Sequence, residues 1–175
     1  CLAAAIILFE LSFRLDKKNK PKENEQCGQA DYNPTARINA AKKSTAINSI
    51  NQEKKQQNGT PTYASPLGNS VLNLTSPFGP RWGGSDFHTG VDFGADPGTD
   101  ITAPSDGVVV DNAPEAVSAG YGNFLAYLDK SGKMFFGFGH MNRPSSLRIG
   151  EEIKQGQKIG EVGFTGHCVP KGPAG

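Results

Sequence analysis

The chain has 175 residues, 22 of them glycine and 12 proline, and a formal net charge of +1. That length holds one domain with a real interior plus additional segments, and the near-zero charge gives no global attraction to nucleic acid. Three cysteines, Cys1, Cys27 and Cys168, are too few and too scattered for a disulfide framework or a CxxC zinc knuckle; a Cys27–Cys168 pair is open, with nothing in the sequence to support it.

Residues 1–13, CLAAAIILFELSF, form an apolar run broken by Glu10. It falls short of the roughly 20 residues a spanning helix needs, and it reads as the remnant of a hydrophobic anchor or signal segment that directs export. The other reading is an amphipathic helix, and the basic stretch at 14–22 sits awkwardly with export because positive flanks tend to stay cytoplasmic. Residues 14–65 are polar, and within 14–55 there are ten Lys or Arg against five Asp or Glu. Such a segment cannot bury enough apolar surface to offset its ordering entropy, so a flexible, mostly disordered linker is expected. Its basic residues suit an anionic surface or simply a solvated tether.

From residue 66 to 175 the balance reverses, with eight basic residues against eleven acidic, and the texture changes to strands and turns. Residues 70–74 alternate apolar and polar, and Pro77, Gly79, Pro80, Gly83 and Gly84 follow as a rigid loop. Residues 87–93 read as a bent strand. Residues 101–103 and 107–110 flank a Pro-Ser-Asp-Gly turn, and 124–128 and 134–138 flank Asp-Lys-Ser-Gly-Lys, a hairpin signal. Ile153, Ile159 and Val162 lie around Gln-Gly-Gln, another tight turn. No segment beyond 66 has a long helical period, so the domain is expected to be all-β, an antiparallel sheet or sandwich.

Within the bent strand lies His88-Thr-Gly-Val-Asp92. A fully extended chain sets residues four apart about 13 Å from each other, whereas two ligand atoms at roughly 2 Å from one zinc must nearly touch. If this pair binds one metal, the chain must bend, and Gly90 has the conformational freedom for it. On spacing alone a surface histidine and a turn aspartate is the favoured reading.

Several separated stretches occur together in one order: SPFGPRWGGSDFHTGVDFGADPGTDITAPSDGVVV, then GYGN, FGFGHM and IGEEIKQGQKIGEVGFTG. In that order they resemble the lysostaphin-type (LytM-type) zinc endopeptidases that cut peptidoglycan peptides, over essentially everything outside the tail. The resemblance implies a duplicated-hybrid-motif-like β domain at 66–175, with His88 and Asp92 as the first two ligands of a Zn2+ ion. It implies an active-site role for His140, which closes the aromatic strand without binding metal; Phe138 stands where a tyrosine is common. It also implies peptidoglycan peptides as partner and a cell-envelope location, periplasmic or extracytoplasmic, with membrane anchorage through the N-terminus. Arg81 and Trp82 are candidates for substrate contact, against a structural ion pair for the first and loop packing for the second.

The family's last motif, a His-x-His that supplies a catalytic histidine and the third zinc ligand, has no counterpart before Gly175. The expectation is a C-terminally incomplete chain, inactive alone, because a catalytic zinc generally has three protein ligands and an open position. His167, with the Cys168 thiol beside it, lies near the right place to substitute, against the plain reading of a loop histidine. Two rivals stand beside the enzyme. One is a non-catalytic binding domain of the same fold. The other is a biotinyl- or lipoyl-like carrier, suggested by IGEEIKQGQKIGEV, although Lys130 and Lys133 lack the usual Met-Lys-Met setting.

Overall fold

The computed structural model describes the backbone of residues 4–10 and, with side chains, residues 62–68 and 72–168, Asp86 by its backbone alone. The linker reading for 14–65 falls almost entirely outside these residues. The described architecture is all-β, as the alternation and turn signals predict, with one 3-10 turn at Trp82–Gly84.

The strands are β1 (Ala4–Glu10), β2 (Asn73–Ser76), β3 (Gly79–Arg81), β4 (Asp86–His88), β5 (Val91–Gly94), β6 (Asp100–Thr102), β7 (Gly107–Ala113), β8 (Asn123–Asp129), β9 (Met134–Met141), β10 (Glu152–Ile153) and β11 (Lys158–Glu161). Seven form one sheet in the order β10-β7-β8-β9-β1-β5-β2, while β11 pairs with β6 and β3 with β4. Every pairing is antiparallel.

Why the centre of the sheet forms is plain from its sequence. FLAYL and FFGFGHM are rich in aromatic and branched side chains that suit a pleated surface, and the Asp129–Gly132 turn closes the hairpin with a backbone bond from Gly132 N–H to Asp129 O. Buried Asp129 caps that turn, accepting from the Lys133 and Met134 amides at 3.0 and 3.1 Å. One face of β7, β8 and β9 places Val109, Leu125, Tyr127, Phe136 and Phe138 in a core completed by Ile101, Ile153, Ile159 and Val162. The Tyr127 ring stacks on Phe136 at 5.0 Å. Phe124, Ala126 and Leu128 are buried as well, so β8 is covered on both faces.

Residues 62–68 lie against this core. Leu67 belongs to it, Tyr63 meets Phe136 edge-on at 5.2 Å and its hydroxyl donates to Asp129, and the Thr102 amide donates to Pro66 O. The packed domain thus takes in four residues upstream of Pro66.

The apolar run read as an anchor remnant supplies β1, which lies between β9 and β5 with Ile6 opposite both Phe138 and Val91. A short continuous apolar run is compatible with a strand paired on both sides as well as with a membrane segment, and periodicity cannot separate the two. Among the described residues no helix is long and apolar enough to cross a membrane.

Candidate metal centre

The chain passes from the small β3–β4 sheet to the seven-stranded sheet through a corner at Thr89-Gly90. His88 ends β4, opposite Gly79, and Asp92 lies in β5, opposite Ser76 of β2. The corner supplies the bend that the four-residue spacing requires, so that His88 Nε2 and Asp92 Oδ1 approach to 3.1 Å. It does so without a positive φ at Gly90; in this region positive φ falls on Gly79, Trp82, Gly83 and Gly84.

His88 is buried, and its Nδ1 lies 2.9 Å from Pro77 O and 3.2 Å from Ser76 Oγ. A carbonyl oxygen only accepts, so this network assigns the proton to Nδ1. In the neutral ring, Nε2 is then a bare lone pair facing a carboxylate oxygen. Two acceptors at this distance repel unless a proton or a cation lies between them. A histidine held by its other nitrogen, beside a carboxylate, is the donor arrangement of a metal site. The His88–Asp92 pair therefore fits two positions of a zinc ion. Among the described residues no group of three His, Cys, Asp or Glu side chains converges on one point, so the pair is as much of a metal site as they assemble.

His140 lies in β9 where the strand carries an irregularity. Between the pairs Leu125–Phe138 and Asn123–Met141, β9 advances three residues while β8 advances two. The extra residue makes a bulge, and His140 within it has φ 56°. Bulges re-aim side chains, and a non-glycine residue at positive φ is a strained position that its surroundings must hold. The surroundings are two glycine loops. The His140 amide donates to Tyr121 O at 2.7 Å, and ring Nδ1 donates to Thr165 O at 2.7 Å. The loops lock to each other through His167 N–H to Gly120 O at 2.8 Å and Thr165 Oγ1 accepting from the Asn123 amide at 2.9 Å.

Burial pushes the His140 imidazole below its ordinary pKa, with His167 and His88 adding to that effect; the Thr165 bond and the Asp92 charge oppose it. His140 is therefore neutral near pH 7, with Nε2 as an acceptor. The same interactions put His88, Asp92 and His167 within electrostatic reach of His140. His167 itself is exposed. Cys168 is a buried free thiol, held above its ordinary pKa by burial and then by Asp92 and Glu115.

Arg81 and Trp82 lie at the tip of the β3–β4 hairpin, on the sequence neighbouring His88 rather than in the His88–Asp92 contact itself. Pro77 O, Thr165 O and Tyr121 O, which orient the two histidines, escape a reading by residue type because they are backbone atoms. The only sequence signal near them is that SPFG, GYGN and GFTG are turn-forming.

Residues 86–173 match Peptidase family M23. The fold is similar to the crystal structure of a point mutant of the catalytic domain of the prophage-encoded M23 protein EnpA from Enterococcus faecalis, at 32% identity and TM-score 0.50 over 61% of this chain and 78% of that one. It is also similar to the solution structure of lysostaphin, at 27% identity and TM-score 0.51 over 63% of this chain, which spans 44% of lysostaphin's length. The chain is a member of Peptidase family M23, of the lysostaphin type.

Proposed function

We propose that this domain is a zinc metalloendopeptidase that hydrolyses peptide bonds in peptidoglycan stems or cross-links, acting in the cell envelope. The observation that carries it is the 3.1 Å approach of His88 Nε2 and Asp92 Oδ1, with His88 Nδ1 committed to Pro77 O, in a member of a peptidase family. Peptidoglycan comes from the ordered motifs set out above, and the envelope location follows from where that substrate lies.

His88 and Asp92 would hold the ion, which when bound polarises the scissile carbonyl and activates water. His88 presents Nε2 because Pro77 fixes its tautomer, and Asp92 supplies compensating negative charge. His140 presents a neutral Nε2 near them, suited to accepting a hydrogen bond from water and orienting it; donation to an oxyanion would require its protonated form. The bulge and the Thr165 bond fix that orientation before substrate arrives.

Zinc titration and release of peptides from purified peptidoglycan by the full-length protein test this reading. Zinc binding should fall at least tenfold in His88→Ala and hydrolysis should stop with a chelator. Undiminished zinc affinity in that variant, or hydrolysis indifferent to chelation, would overturn it. A non-catalytic binding domain of the same fold is the second reading. Bound zinc without any peptide release would select it.

A further inference from the structure

The β3–β4 hairpin carries a feature that the His88–Asp92 pair leaves unused. Phe78, Trp82 and Phe87 are 62%, 73% and 54% exposed. The two phenylalanine rings meet edge to face, with centroids 5.2 Å apart and planes at 88°, yet the contact buries neither. Trp82 sits at φ 48° and is followed by Gly83 and Gly84, also at positive φ. The Ser85 hydroxyl donates to Trp82 O at 3.0 Å and holds the turn. A bulky residue in the left-handed region is an outlier, and such strain concentrates at ligand-binding positions. Here it is spent on holding the largest aromatic side chain out in solvent. Exposed apolar clusters of this kind mark docking surfaces.

Two further observations define the occupant. Residues 72–87 carry one arginine and one aspartate, a formal net charge of zero, so the surface offers little to a strongly charged ligand. Phe87 immediately precedes His88 in β4, so the same short strand carries the exposed ring on one face and the buried candidate ligand on the other. We propose that the hairpin is a docking platform for the saccharide of the substrate polymer, a neutral chain of N-acetylated amino sugars. A pyranose ring presents a flat C–H face that packs on an aromatic ring without any charge, while the indole N–H remains a donor for sugar oxygens. Stem peptides of small and charged residues have few groups that would use three exposed rings. The inference rests on the proposed peptidoglycan substrate: it assigns the glycan to the hairpin and the peptide to the metal centre.

Trp82 is the chain's single tryptophan, so its fluorescence reports on the platform alone. The chain is titrated with a peptide-free β-1,4-linked N-acetylglucosamine tetramer and, separately, with a sugar-free stem tetrapeptide. The saccharide should give a saturable spectral change, and the peptide none. Phe87→Ala should weaken half-saturation roughly 3- to 10-fold, with the circular dichroism of the β fold unchanged; if that variant fails to fold, Phe78→Leu gives the same reading. The change should persist in His88→Ala, where zinc binding is expected to be weakened, which separates failure of the platform from failure of the hydrolase reading. A response to the peptide alone, or to neither ligand, would overturn the proposal.

Discussion

His88 and His140 share one device: each commits Nδ1 to a backbone carbonyl, Pro77 O or Thr165 O, and presents Nε2 to the site. For His140 the device has a pH signature. Burial lowers its pKa below the ordinary 6.5, so below that value the unfolded chain binds a proton that the folded chain still refuses. The unfolded state gains from acid first, and stability falls as pH drops from about 6.5 towards the lower folded value. Above 6.5 both states are neutral and the contribution is constant. His140→Gln, which keeps a polar side chain but cannot titrate, should flatten urea-denaturation stability measured between about pH 7 and pH 5. An unchanged slope would show that His140 titrates in the fold as it does in water. The residue types at this centre were legible because HTGVD and GHM stand in recognisable order. Their partners were not, because a carbonyl at Pro77 or Thr165 belongs to the backbone and leaves no mark in residue identity.

At the scale of elements, the β8–β9 and β7–β8 hairpins were legible from alternation and turn chemistry, and the loops that hold His140 were only half so. GYGN and GFTG announce turns, yet nothing in them says that the two turns interlock. The reason for glycine there is contact. A Cβ on Gly122 would come within 2.4 Å of Thr165 O, and one on Gly166 within 2.3 Å of Gly122 N, both against backbone that cannot rotate away. Gly150 is also at positive φ, at 89°, but a Cβ there meets nothing within 4 Å. Gly150→Ala should therefore cost the backbone strain alone, about 1–3 kcal/mol. Gly122→Ala should cost roughly 1–3 kcal/mol beyond it, because the loops must part. It should also move the His140 ring resonances in NMR, while Gly150→Ala leaves them in place. Equal losses for the two variants would mean that the loops separate freely. The corner at Thr89-Gly90 makes the opposite point: the HTGVD spacing called for a bend there, but its mechanism, a crossing between two sheets without positive φ at Gly90, is a property of topology.

For the molecule as a whole, the antiparallel β architecture followed from composition and turn spacing, whereas the role of the first strand did not. AAIILFE is a short apolar run, and its pairing with β5 and β9 is a property of the tertiary arrangement. The large sheet brings Asp92 beside the hairpin that carries His88, so folding and metal binding should be linked. An ion that binds the folded chain and not the unfolded one stabilises it by about 2.7 kcal/mol at a hundred times its Kd, and for a domain of this size each kcal/mol is about 4 °C in Tm. Zinc added to the apo chain at about pH 7.5 should raise Tm with a dose dependence that a chelator reverses. Because metal ligands must be deprotonated, the same zinc concentration should lose its effect in acid. Asp92→Asn removes the carboxylate charge at nearly constant volume and should abolish most of the shift, whereas Ser76→Ala, which removes only the weaker of the two Nδ1 partners, should reduce it modestly. A zinc-dependent rise in Tm that survives Asp92→Asn unchanged would place the ion elsewhere on the chain and break the link between the corner and the site.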